Sequence, residues 1–203
     1  MQPKQRGGKE MKIAVGITGA TGAILGIRIL ELLKKASVET HLVMSSWAHA
    51  TIKLETPYSV QQVEALADYC YSYQDQAAKI SSGSFRIDGM IVSPCSMKTL
   101  ASIRMGLADN LIARTADVML KERKPLVLLP RETPLNTIHL ENMLDLSKMG
   151  AILVPPMPAF YNKPETIEDI VTHIAVRTLD QLGIELPEAK RWNGIKHLSQ
   201  GGK

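Results

Sequence analysis

Several residue types that whole classes of function depend on are scarce in this chain. Its two cysteines, Cys70 and Cys95, lie far apart with no paired spacing, which argues against a disulfide framework or a cysteine-built zinc site. Its five histidines are scattered, with no His-x-x-x-His or Glu-x-x-His pair, so no metal site is expected. Aromatic residues make up 4% of the chain, too few for a base-stacking face. No apolar run reaches the length of a membrane span. The first ten residues are basic and lack the apolar core of a signal peptide, so a cytoplasmic location is expected. No internal repeat is visible.

Positive charge is also scarce where a nucleic-acid footprint would need it. The net charge is +4 over 203 residues. Lys4, Arg6, Lys9 and Glu10 give residues 1–10 a net +2. Lys190, Arg191, Lys196, Lys203 and Glu188 give residues 187–203 a net +3, which leaves −1 for the body. Basicity therefore sits in the tails, and neither nucleic acid nor membrane is expected as a partner. Residues 1–10 read as a disordered tail, 11–186 as one domain, and 187–203 as a second tail. In that second tail Trp192 is expected to pack on a neighbouring subunit.

The stretch Gly16-Ile17-Thr18-Gly19-Ala20-Thr21-Gly22-Ala23 stands out. An apolar run, Ile13-Ala14-Val15, precedes it, and Ile24, Ile27, Leu30 and Leu33 follow at helical spacing. Strand, glycine-rich turn and helix in that order put free N–H groups and a positive dipole end at the helix start, where a phosphate is favoured. Thr18 and Thr21 add hydroxyl donors. A plain structural turn is the alternative.

Further along, the pattern predicts strands over 11–17, 38–45, 89–93, 125–130 and 151–154. Helices are predicted over 21–35, 46–54, 59–71, after the segment 94–99 to 105, and over 109–123, 137–149 and 165–182. Short strands that are apolar on both faces, alternating with helices, predict an α/β fold: a three-layer, doubly wound parallel sheet. Ligands bind outside the carboxyl ends of such strands. Gly16–Gly22, Ser45-Ser46, Pro94–Thr99, Arg131-Glu132 and Pro155–Tyr161 are therefore expected to converge on one cleft. Gly16-x-x-Gly19-x-x-Gly22 is not the dinucleotide spacing, and Ser45-Ser46 replaces the acid that a ribose needs. Both departures favour a smaller phosphate ligand, a mononucleotide such as FMN. Ser96, Met97, Lys98 and Thr99 supply donors at a second helix start. Arg114 and Lys121, seven apart, share a helix face, and with Arg131 and Arg177 they suggest a second anionic group. Asp117 between them equally fits a solvated ion-pair ladder. Cys95, after Pro94, reads as a small core residue.

Together GITGATGA (16–23), HLVMS (41–45), SSGSF (81–85), PCSMKT (94–99), RTADVMLKERKPLVLLPRETPL (114–135), IHLENM (138–143) and PPMPAFYNKPET (155–166) resemble the UbiX-like flavin prenyltransferases. They resemble most closely the small subunits encoded with bacterial phenolic acid decarboxylases. The resemblance implies a flavodoxin-like fold and a homo-oligomer, typically a dodecamer. It also implies transfer of a dimethylallyl group from dimethylallyl phosphate to reduced FMN, giving prenylated FMN for a partner UbiD-like decarboxylase. By motif it places Gly19, Ala20, Thr21, Ser45, Ser96, Met97, Lys98, Thr99 and Arg131 at the FMN. Arg114, Lys121, Tyr161, Arg177 and Trp192 fall at the prenyl phosphate. Glu55, Thr21, Lys121 and Glu132 fall at catalytic positions, Glu55 and Thr21 flanking the flavin. Thr21 stands where many members carry serine. Two other readings share parts of this pattern: an FMN-dependent cysteine decarboxylase, which needs a histidine in the cleft, and a non-catalytic decarboxylase subunit.

Overall fold

The computed structural model describes residues 11–189 and Arg191, so Trp192 and most of both basic tails lie outside the described residues. The strands are β1 (Lys12–Ile17), β2 (Glu39–Met44), β3 (Tyr69–Tyr71), β4 (Gly89–Cys95), β5 (Leu126–Pro130) and β6 (Ile152–Leu153). The helices are α1 (Ala23–Lys35), α2 (Ser46–Glu55), α3 (Val60–Glu64), α4 (Met97–Arg104), α5 (Leu111–Lys121), α6 (Thr137–Lys148) and α7 (Ile167–Asp180). A short 3-10 turn spans Lys79–Ser81.

The strands form one sheet in the order β3-β2-β1-β4-β5-β6, and every pairing is parallel. All seven residues of β4 and all five of β5 are buried, as a sheet covered on both faces requires. One core layer packs α1, α2, α3 and α7 on one face through Ile27, Leu30, Ile52, Val63 and Leu179. The other packs α4, α5 and α6 through Leu100, Ile112, Met119 and Leu146. This is the three-layer doubly wound fold the alternation predicts. The chain winds outward from β1 to β2 and β3 on one side, then from β4 to β6 on the other. The reversal leaves a crevice between the carboxyl ends of β1 and β4.

Caps fix where the helices bordering that crevice begin. Ser45 accepts from Ala48 N at the start of α2, and Ser96 accepts from Thr99 N at the start of α4. Each such cap contributes about 1 kcal/mol.

One predicted element is corrected. The helix expected over 59–71 stops at Glu64, and Tyr69–Tyr71 is an edge strand. The Asp68 carboxylate accepts from both the backbone N–H and the hydroxyl of Thr40, at 2.8 and 3.0 Å. That contact pins the chain beside β2 and outweighs the helical spacing of Val60, Val63 and Leu66.

Candidate functional site

At the crevice, Thr18 ties the two central strand ends together. Its hydroxyl donates to Pro94 O at 2.7 Å and accepts from Ser96 N at 2.8 Å. It is 1% exposed, so it is a structural bridge and not the ligand donor the sequence suggests. Around it opens a cleft of about 240 Å³, lined by Gly19, Ser45, Ser46, Trp47, Ser96, Lys98 and Thr99 among others. The carboxyl ends of β1, β2 and β4 meet here. The Ser45 and Ser96 side chains cap their own helices. The first-turn N–H groups of α2 and α4 have no intrahelical carbonyl to bond. Two positive helix ends and the Lys98 ammonium thus face one polar cleft, an arrangement suited to a phosphate.

The third helix end is taken. The Glu55 carboxylate accepts from Gly22 N at 2.7 Å and from Ala23 N at 3.3 Å. Gly22 lies at φ +97°, a conformation that glycine adopts without strain, and this turns both N–H groups toward Glu55. In this structure the anion at the first strand–helix corner is the protein's own Glu55 side chain, and the starts of α2 and α4 are the helix ends that face the cleft. This contact brings Glu55 to the residues that directly follow Thr21. Gly19 has a packing reason: a Cβ there would collide with the Cβ of Trp47.

Trp47 and Tyr73 line the cleft without having been foreseen. Trp47 is 73% exposed, and Tyr73 follows the edge strand that the helical pattern hid. Cys95 is fully buried, and burial pushes its thiol up to about 12, so it is a packing residue and not a nucleophile.

The other predicted residues fall into two further groups. Arg131 follows β5 directly and its N–H donates to Cys95 O at 3.1 Å, which holds it at the same edge of the sheet as the cleft. Glu132 beside it accepts from Thr133 N. Tyr161 and Arg177 share a separate pocket of about 330 Å³ against α7. The Tyr161 hydroxyl meets His173 Nε2 at 3.4 Å, and Arg177 pairs with Asp180 at 2.6 Å. Tyr161 thus lies against α7 and does not line the cleft. Arg114 and Lys121 do share a face of α5. Arg114 pairs with Asp117 at 2.8 Å, the ion-pair ladder of the alternative reading, and also donates to Ser81 O. Lys121 pairs with Glu122. Because α5 runs antiparallel to β5, Lys121 lies at the amino edge of the sheet. The five residues of β5, at about 3.3 Å each, put ~17 Å of sheet between it and Arg131. Of the five segments expected to converge, the end that carries Tyr161 is therefore corrected to a separate pocket, and Arg114 and Lys121 form a third group on the subunit. Among the described residues, no group of three His, Cys, Asp or Glu is placed to hold a metal ion, and no helix is long and apolar enough to cross a membrane.

Comparison with known proteins adds to this geometry. A family profile described as Flavoprotein matches residues 1–179. A relative described as a probable UbiX-like flavin prenyltransferase of Bacillus subtilis (strain 168) is 68% identical over 198 residues, covering 98% of this chain and 97% of that protein. A crystal structure of AnUbiX (PadA1) in complex with FMN and dimethylallyl pyrophosphate is 56% identical with a TM-score of 0.91, covering 93% of this chain and all of that one. A dodecameric FMN-dependent Ubix-like decarboxylase from Escherichia coli O157:H7 is 65% identical with a TM-score of 0.89, covering 91% of this chain and 100% of that one.

Proposed function

This chain belongs to the flavoprotein family and, within it, to the UbiX-like flavin prenyltransferases, and from that premise we propose that it joins a dimethylallyl group from dimethylallyl phosphate to reduced FMN. The observation that carries the reading is the cleft at the β1–β4 crevice, where two helix starts, Lys98 and capped serines converge. Its donors are N–H, hydroxyl and ammonium groups, the set a phosphomonoester needs. Ser45, Ser96, Met97, Lys98, Thr99 and Arg131 would hold the FMN phosphate. Gly19, Ala20 and Thr21 would line the flavin, with Glu55 at its edge. Reduced FMN supplies an electron-rich ring that captures the allyl group.

The chain's own residues do the rest. Lys121, Arg114, Arg177 and the Tyr161 hydroxyl stabilise the leaving phosphate as preorganised charge, without a metal. Glu55 accepts a proton and returns it; its contacts with the backbone N–H groups of Gly22 and Ala23, next to Thr21 in sequence, support that role. Glu132, next to Arg131, is the second carboxylate of the site. On one subunit these groups stand apart, so the site is completed between copies of a homo-oligomer, which we propose to be a dodecamer. The Lys121 edge of one copy would meet the Arg131 edge of another. The product would pass to a UbiD-like aromatic acid decarboxylase in the cytoplasm.

The test is a mixture of the purified protein, reduced FMN and dimethylallyl phosphate without oxygen, followed by an absorption spectrum and a mass. A flavin heavier by the prenyl group is expected. An unchanged flavin would overturn the reading in favour of a non-catalytic subunit. Decarboxylation of a cysteine-bearing peptide would favour the other rival, for which His49, in the cavity that adjoins the cleft at Ser46, Trp47, Tyr73 and Lys98, is the candidate histidine.

A further inference from the structure

The segment SSGSF at 81–85 has no part in the reading above. It leaves the 3-10 turn Lys79–Ser81 and returns to the sheet at β4. Ile80 and Ile87, 1% and 2% exposed, anchor it in the core at either end. Behind it, Phe85 sits in a nest of rings. Phe85 meets His41 edge-on with centroids 5.4 Å apart, and His41 stacks on Tyr69 at 4.9 Å. The Lys12 and Lys79 ammonium groups lie 5.5 and 5.9 Å from the Phe85 centroid, within cation–π range. His41 is wholly buried and fixed at both ring nitrogens, Nδ1 by the Tyr71 hydroxyl and Nε2 by Glu39, each at 2.9 Å.

In front, the same segment touches both α5 cations. The Ser81 carbonyl accepts from Arg114 Nε at 3.0 Å. A Cβ on Gly83 would stand 2.7 Å from Lys121 Nζ and collide with the Glu122 carboxylate. Gly83 is not at positive φ, so its backbone does not demand glycine. The missing side chain is what leaves room for the Lys121 ammonium.

We propose that residues 81–85 are the positioning element for the prenyl-phosphate cations. Phe85, clamped against His41, holds Ser81 and Gly83 where they set Arg114 and Lys121. Gly83 is a positioning residue because any side chain there displaces Lys121. This rests on the assignment of Arg114 and Lys121 to the prenyl phosphate made above.

The test compares Gly83→Ala, Phe85→Leu, Phe85→Tyr and Lys121→Ala in the full-length protein. Dimethylallyl phosphate binding is measured by calorimetry on protein loaded with oxidised FMN, where no turnover competes. FMN affinity and thermal midpoint are measured alongside. The atoms nearest to a Cβ at Gly83 are the flexible ends of Lys121 and Glu122, so the midpoint and FMN affinity of Gly83→Ala should match the parent. Its affinity for dimethylallyl phosphate should fall on the order of 10- to 100-fold, the scale of an ångström-sized misplacement. Phe85→Leu should weaken the same ligand, and Phe85→Tyr, which keeps the edge contact, should restore it. If Lys121→Ala weakens that ligand while Gly83→Ala and Phe85→Leu do not, the positioning role is overturned and the site assignment stands. If Lys121→Ala has no effect, the assignment itself falls, and the inference with it.

Discussion

The carboxylate of Glu55 lies 2.7 Å from the backbone nitrogen of Gly22, so the last residue of α2 closes off the first turn of α1. An anion at a helix start is stabilised by the dipole and by unpaired N–H groups, by about 0.3–1 kcal/mol at an exposed position. Here that position is filled from within, and two consequences follow. On the proposed function, the phosphate of a bound flavin would use the α2 and α4 ends. A carboxylate also stands at a fixed place on the path from Gly19 to Gly22. Glu55→Gln should therefore bind FMN within about threefold of the parent, while formation of finished prenylated FMN falls by a factor on the order of 100 or more, the typical worth of a proton-transfer group. Glu55→Ala should not tighten FMN binding. Markedly tighter binding by that variant, seen by fluorescence titration, would put the phosphate back on α1.

The buried His41 gives stability a pH dependence of definite sign. Burial pushes its imidazole below the ordinary histidine value of 6.5, and the hydrogen bond and charge of Glu39 only partly oppose this. Lys12 and Lys79 disfavour its charge further, and Tyr69, Tyr71 and Phe85 close the remaining sides. The unfolded chain takes up a proton near pH 6.5 that the folded chain refuses until lower pH. The stability is thus fully present above about 6.5 and is lost as pH falls through that value, with a slope of at most ~1.4 kcal/mol per pH unit for one proton. Glu39 is held below its ordinary 4.5: burial raises it, but the hydrogen bonds from Lys12 and His41 outweigh that, so its own loss begins only below 4.5. Denaturant midpoints between pH 8 and 5 should fall below 6.5 in the parent and flatten in His41→Gln. An equal slope in both proteins would remove His41 as the cause.

Local pattern carried most of the fold. The apolar runs at β1, β4 and β5 and the helical spacing after Gly22 mark elements that local sequence alone specifies, and their alternation specifies the layers. The edge strand Tyr69–Tyr71 was hidden because three residues are too few to show alternation, and because Asp68 acts through Thr40, far away in sequence. The site was legible only as residue types. Ser45, Ser96 and Thr99 follow strands in the sequence, and all three line the cleft. Thr18 looked like a ligand donor because its partners, Pro94 and Ser96, come from a distant strand. No local rule relates Glu55 to Gly22 across the whole of α1, β2 and α2. Lys121 and Arg131 are ten apart in sequence, yet the turn between α5 and β5 sends them to opposite edges of the sheet.

That separation has a direct consequence for an assembly of identical subunits. If one site takes Lys121 from one copy and Arg131 from another, Lys121→Ala and Arg131→Ala each abolish turnover alone, but they damage different contributors. Unfolding the two inactive proteins together and refolding them as mixed oligomers distributes the lesions at random. In an equal mixture each contributor is intact half of the time, so about a quarter of the sites regain both groups, as a heterologous interface permits. Activity near a quarter of the parent's is expected, with neither variant recovering when refolded by itself. A mixture as inactive as its components would mean that both side chains serve the site from a single subunit. The α5–β5 geometry would then have to rearrange on assembly, by roughly the length of β5, for the shared site to exist at all.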